Sequence, residues 1–306
     1  MSMSKNSLAM ILTLCLSLQT FATDNDPEVR VARKVVKTVG KFNEKGPHPL
    51  EAAIEIAHRG VERMKKIKDY EARLTRQERI DGKLTGYQSC DIKIRSANAE
   101  NDIPFSIYMK FLKPTSVNGR EAIWVDGKNE GKIIAHEAGM ILGKLTVYLN
   151  PTGPIAMKGN RYPIYEAGFQ VLVDRLIEKA TREKEYGECE VKIESGKSFN
   201  KRPCTVIEVV HPVQREYFEF HKALIYIDDE MQLPVRYEAY TWPEEEGGEA
   251  VLLERYLWHK IKLNVGLTDD DFDPRSKKYN YYFSNTPDVK DESKKEEGVK
   301  VARKQD

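Results

Sequence analysis

The chain has no long apolar run. A helix needs about 20 consecutive apolar residues to cross a bilayer, and the longest run, Leu8 to Leu18, falls well short. Mean hydropathy is −0.58, and no later segment qualifies, so no membrane-spanning helix is expected. A surplus of one charge sign is missing too. Lysine and arginine number 49 against 48 aspartates and glutamates, and the net charge of +1 falls to about zero once Lys5 is removed. Nucleic-acid binding demands a concentrated basic face. The basic stretches Arg30-Val31-Ala32-Arg33-Lys34 and Arg63 to Lys68 read as solvated helix faces, so no nucleic-acid partner is expected.

Catalytic signatures are absent as well. The six histidines, His48, His58, His136, His211, His221 and His259, show no metal-ligand spacing such as His-Glu-x-x-His. His211 and His221 flank a loop and could face each other, but ordinary strand-end hydrogen bonds account for them equally well. No Gly-x-Ser-x-Gly elbow occurs, and Cys90 sits in a plain strand pattern. Gly127, Gly131 and Gly139 are isolated turn glycines rather than a phosphate cradle. Asp269-Asp270-Asp271 with Asp273 lacks the spaced ligands and glycine of an EF-hand, and reads as a solvated acidic turn. No catalytic residue, metal or cofactor is assigned.

What is present begins at the N-terminus. Lys5 supplies a positive charge, Leu8 to Leu18 an apolar core, and Thr20-Phe21-Ala22 the small residues before a cut ahead of Thr23. Residues 1–22 therefore read as a secretory signal, and the protein as periplasmic or extracellular. A buried N-terminal helix is the competing reading, against which polar Asp24-Asn25-Asp26 follows at once. Tethering through a lipidated Cys15 is a further alternative, but Leu12-Thr13-Leu14 lacks the small pair it needs. Cys90, Cys189 and Cys204 then lie in an oxidising compartment. Apolar matching of strands 189–194 and 204–210 sets Val191 against Val206 and Ile193 against Cys204. That leaves Cys189 facing Glu208, too far from Cys204 for a disulfide. A tight turn at Gly196-Lys197 would level the two cysteines but match Ile193 with Asn200.

Residues 23–48 are charged, with room for a short helix around 28–39. Leu50, Ala53, Ile54, Ala57, Val61, Met64 and Ile67 mark an amphipathic helix over 50–68. Strand signals follow at 70–77, 87–95, 105–111, 121–125, 133–135 and 144–149, with turns at Asp81-Gly82 and Asp126-Gly127. A loop rich in proline and glycine precedes a second helix over 164–182, striped by Ile164, Ala167, Val171, Leu172, Leu176 and Ala180. Strands resume at 189–194, 204–210, 218–226, 234–242 and 252–263. The tail 284–306 is charged with almost nothing apolar, and reads as disordered. Residues 49–283 thus form a single α+β domain, a curved antiparallel sheet with helices covering one face.

Several segments carry a resemblance. Met109-Lys110-Phe111-Leu112-Lys113-Pro114, Glu121 to Lys128, Ala223 to Asp228, Leu233-Pro234-Val235-Arg236 and Leu263 to Phe272 resemble the LolA/LolB-like lipoprotein-carrier superfamily. More closely, Gly159 to Ile164, Gly187-Glu188-Cys189-Glu190, Ile207 to Pro212 and Tyr237 to Pro243 resemble DUF1571, a bacterial family of unknown function, over roughly 50–275. The resemblance implies a half-open β-barrel with helices as a lid on its concave face. It also implies binding of acyl chains, lipids or lipoproteins without covalent chemistry.

On such a fold, Ile107, Met109, Phe111 and Trp124 would line the concave side with Leu172 and Leu176 of the lid helix. Arg161 and Tyr162, just before that helix, would meet a head group. The plain alternative is a packed core. Three functional readings follow: a non-enzymatic binder of an apolar envelope ligand, an envelope protein-interaction or sensor module with a filled core, and a hydrolase with an unfamiliar site.

Overall fold

The structure is a computed structural model and describes residues 37–41, 47–138, 145–245, 247–279 and 281–283. The expected signal over 1–22, most of the expected 28–39 helix and the expected disordered tail over 284–306 lie outside the described residues. In chain order come β1 (Lys37–Lys41), α1 (Leu50–Met64), β2 (Asp69–Ile80), β3 (Lys83–Leu84), β4 (Gln88–Arg95), β5 (Ser106–Lys113), β6 (Glu121–Val125), β7 (Ile133–His136) and β8 (Thr146–Leu149). Then follow α2 (Pro154–Met157), α3 (Phe169–Glu183), β9 (Glu190–Phe199), β10 (Arg202–Val210), β11 (Lys222–Asp228), β12 (Pro234–Thr241) and β13 (Val251–Leu263).

These strands form one antiparallel sheet in the order β1-β9-β10-β11-β12-β13-β2-β4-β5-β6-β7-β8, with β3 hairpinned onto β2. Two meanders, β2 to β8 and β9 to β13, are zipped together where β13 pairs with β2. The sheet does not close, since β1 and β8 stand at opposite ends of the order. It must curve. One continuous core joins Val191 of β9 to Met109 of β5 under Leu50 and Ala53 of α1 and Phe169 and Val173 of α3. Those strands span roughly 34 Å if flat, whereas two packed helices are only about 20 Å wide. Wrapping the sheet around the helices reconciles the widths and gives the half-open barrel. Among the described residues no helix is long and apolar enough to cross a membrane.

The convex side carries its own small core. Tyr108, Ile123, Val125 and Phe272 are buried together, with Leu267, Tyr279 and Tyr281 packed on them. The segment after β13 is therefore a strap across the outside of β5 to β7. Asp69 anchors its start by accepting from Gly266 N (3.1 Å) and Leu267 N (3.2 Å).

The local expectations fail at three points. The second helix starts at Phe169 rather than Ile164, because Gly168 has φ +132° and breaks the helical path. Ile164–Glu166 is instead a single 3₁₀ turn. The β9–β10 register also differs from both expected pairings: Ile193 faces Ile207, Val191 faces Val209, and Cys204 faces Lys197. The turn lies at Asn200-Lys201, both left-handed at φ 53° and 64°, the geometry of a tight hairpin, so β9 runs on to Phe199. Finally, residues 37–39, which the short N-terminal helix was to include, belong to β1 and pair with β9. Cys90, Cys189 and Cys204 are free and buried.

Candidate ligand cavity

The concave face is filled at one end and hollow at the other. Between α1, α3 and the strands β10 and β11 only about 70 Å³ remains empty. Between α3 and the strands from β13 to β8 lies a cavity of about 550 Å³. Its origin is a cross-strand row. Register sets Met109 beside Ala122, Ala122 beside Ala135, and Ala135 beside Val147. Directly opposed residues share a face, so two adjacent alanines thin the wall where larger side chains would fill it. Leu172 and Leu176 of α3 close the far side, and all six residues line the hollow. Leu145 and Ile155, more than half exposed, stand at its rim.

The other end is polar. Leu74, Arg76 and Glu78 of β2 pair with Trp258, Tyr256 and Glu254 of β13, and all six face the cavity. Glu78 and Glu254 are thus like charges directly opposed across two strands, and both are buried, at 2% and 4% exposure. Such a pair is destabilising unless compensated. Glu78 accepts from Tyr256 Oη (2.6 Å), Arg76 Nη1 (3.3 Å) and the backbone N–H of Arg161 (2.8 Å). Glu254 accepts from Tyr162 Oη at 2.9 Å and pairs with Arg161 Nε at 3.1 Å. Burial raises the pKa of Glu254 above the usual carboxylate range, opposed by Arg161 and Tyr162 and reinforced by the charge of Glu78.

Cations surround this end. Arg76 spreads its guanidinium onto Gln88 and Asn160 as well as Glu78. Arg175 of α3 pairs with Glu166 and lies 4.5 Å from the Tyr162 ring centroid. Lys179, one turn on, pairs with Glu219 at 2.5 Å.

Of the residues expected to bind ligand, Met109, Phe111, Tyr162, Leu172 and Leu176 line the cavity. Three do not. Ile107 is fully buried in the core, because β5 runs on under the helices beyond the hollow. Trp124 donates Nε1–H to Gly131 O at 3.0 Å and packs against Tyr165 at 5.2 Å, off the lining. Arg161 reaches the site through its backbone N–H on Glu78 and through its side chain on Glu254 and the Tyr162 hydroxyl. Sequence reasoning placed Tyr162 toward a head group but missed the Glu78–Glu254 centre of the polar end. Its signal was a pair of glutamates in inward-facing strand positions, Glu78 two and four residues from Arg76 and Leu74, Glu254 two and four from Tyr256 and Trp258.

Other candidate chemistry is absorbed by structure. His221 Nδ1 meets the His211 carbonyl at 2.9 Å, and His211 Nδ1 the Phe220 carbonyl at 3.0 Å, so the rings do not face each other. Asp271 caps its own turn at Thr268 and pairs with Lys93 and Lys278. Burial pushes the thiols of Cys90 and Cys204 up to about 11 and that of Cys189 to about 12, against nucleophilic use.

The family model of DUF1571, described as a protein of unknown function, matches residues 67–281. No curated protein matches the chain. Among solved structures it is similar to lipoprotein LppX of Mycobacterium tuberculosis, with 13% identity and a TM-score of 0.39 over 73% of this chain and 100% of that one. A DUF1329 family protein from Desulfovibrio piger matches at 13% identity and TM-score 0.36, over 74% and 98% of the two chains. A LolA superfamily protein from Nitrosomonas europaea matches at 11% identity and TM-score 0.28, over 71% and 97%.

Proposed function

The chain belongs to the DUF1571 family, and we propose that it is a non-enzymatic binding protein for an apolar chain, an acyl chain or lipid, carried outside the cytoplasm. The observation that carries this reading is the cavity of about 550 Å³ between α3 and the strands from β13 to β8, apolar along one wall and polar at one end. That volume falls within the roughly 300–1,000 Å³ of small-molecule sites. Burying an alkyl chain against Met109, Leu172, Leu176 and the alanine row supplies about 0.8 kcal/mol per CH₂. The exposed Leu145 and Ile155 at the rim give such a chain an apolar entrance. Export through residues 1–22 would place the protein where a lipid needs an escort through water.

Binding without chemistry is supported by the state of the polar groups. Glu78 and Glu254 take their hydrogen bonds from tyrosines and arginines of the same chain, so neither carboxylate is poised as a base toward a bound chain. The test is extraction of the protein from its own host, followed by native mass spectrometry. Titration of the mature chain with the neutral dye N-phenyl-1-naphthylamine accompanies it. Ala135→Phe should fill the alanine row and weaken dye binding by about tenfold or more, a loss of about 1.4 kcal/mol, with the helix and sheet signal retained. Absence of co-purifying lipid together with absence of dye binding would sink the reading. So would an Ala135→Phe variant that binds as the parent does.

A further inference from the structure

The helix that roofs the cavity turns two basic side chains toward an apolar hollow. On α3, Leu172, Arg175, Leu176 and Lys179 follow the i, i+3, i+4, i+7 spacing of one helical stripe, and all four line the cavity. The acidic Asp174 and Glu178 of the same helix are exposed. Long basic side chains ordinarily turn to water, and Arg182 at the end of α3 does so while Glu183 is buried. Along the cavity, however, Arg175 and Lys179 look inward and the neighbouring Asp174 and Glu178 outward. Across the hollow, Arg76 of β2 adds a third cation, its side chain 13% exposed.

The anionic side of the site is already occupied. Glu78 and Glu254 accept from Tyr256, Tyr162, Arg76 and Arg161. Arg161, expected to meet a head group, is committed to Glu254 and Tyr162. The α3 cations are differently placed. Arg175 gives one Nη2–H to Glu166 and Lys179 one N–H to Glu219, while a guanidinium carries five donors and an ammonium three. Lys179 also acts electrostatically on Glu254, which places its field at the polar end.

We propose that the ligand is a single-chain anionic amphiphile, its carboxylate or phosphate held by Arg175 and Lys179 with Arg76 opposite, and its chain lying along Leu172, Leu176 and the Met109–Ala122–Ala135 row. This rests on the cavity reading above and adds the sign and position of the head group. Carboxylate and phosphate share the chemistry that recognises them, an oxyanion accepting charge-assisted hydrogen bonds.

The experiment is displacement of N-phenyl-1-naphthylamine from the full mature chain at neutral pH and low salt. The competitors are decanoate, decyl phosphate, decanol and decyltrimethylammonium, each below its micelle concentration. At least one anion should displace the dye at roughly tenfold lower concentration than decanol, with the cation weakest, and the stronger anion identifies the head group. The double variant Arg175→Gln with Lys179→Gln should lose that advantage while decanol displaces as before. Arg175→Lys with Lys179→Arg, which keeps both charges, should retain it. Equal displacement by anions and decanol, or an anion preference untouched in the glutamine variant, overturns the inference and leaves the cavity reading standing. Failure of the dye to bind, together with absence of co-purifying lipid, overturns both.

Discussion

Glu254 shows how much a single residue position can reveal about a site. Its carboxylate is buried beside that of Glu78, and its pKa is raised, chiefly by burial. The consequence for stability has a definite sign. Between the unfolded value of 4.5 and the higher folded value, the folded state holds the proton more tightly than the unfolded chain. Stability from this group is therefore greatest below 4.5 and is lost as pH rises through the folded pKa. Glu254→Gln keeps an acceptor for Tyr162 and removes the titration. Urea unfolding of parent and variant at a series of pH values from about 4 to 8 should show the variant gaining on the parent as pH rises. Arg161, always charged, adds no slope of its own. A difference in unfolding free energy that does not change with pH would show that the Glu254 carboxyl titrates alike in folded and unfolded chains.

The start of α3 is decided by a contact between elements rather than by its own sequence. The backbone N–H of Phe169, one of the unpaired donors of the first turn, donates to Tyr70 Oη on β2 at 3.1 Å. Gly168, at φ +132°, brings the chain so close that an added Cβ would stand 2.9 Å from that hydroxyl and 3.2 Å from Ile94 Cδ1. Gly168→Ala should therefore destabilise by about 2 kcal/mol or more, from backbone strain and the clash together, read as a lower urea midpoint at unchanged slope. An unchanged midpoint would mean that the approach to Tyr70 is not needed. Periodicity made α1 and nearly every strand legible, but Ile164 and Ala167 keep the helical period straight through the break, so the true start of α3 was not. The β9–β10 register was hidden for a related reason. The expected pairing of Val191 with Val206 and the observed pairing of Val191 with Val209 both match apolar residues, and the Asn200-Lys201 turn selects the second. At the site, Met109 and Phe111 could be read from strand alternation and Leu172 and Leu176 from helical period, whereas the alanines of the row were not singled out. The Glu78–Glu254 pair could not be read, because only the β13–β2 pairing makes those distant residues neighbours.

At the scale of the whole molecule, the cavity wall lies toward one end of an open sheet, where among the described residues β8 has β7 as its only neighbour in the strand order. Its convex side is braced by the strap after β13, whose Phe272, Tyr279 and Tyr281 pack on Tyr108, Ile123 and Val125. Asp271 pins that strap. It accepts from Thr268 N at 3.0 Å and pairs with Lys93 of β4 at 2.9 Å and Lys278 at 3.0 Å. These contacts hold its carboxyl well below the ordinary 3.8 despite the opposing effect of burial. A depressed pKa contributes stability above 3.8 that is lost as pH falls through the folded value. Asp271→Asn should thus cost about 1.5–3 kcal/mol at neutral pH, the scale of hydrogen bonds to charged groups. The gap between parent and variant should close in acid. Because the strap backs the strands that carry Met109, Ala122 and Ala135 on their other face, the cost should not stay local. Amide exchange should rise in β5 to β7, and dye affinity should fall, although Asp271 is absent from the cavity lining. Faster exchange confined to residues 264–283 with undiminished dye binding would show that the wall keeps its shape without the brace.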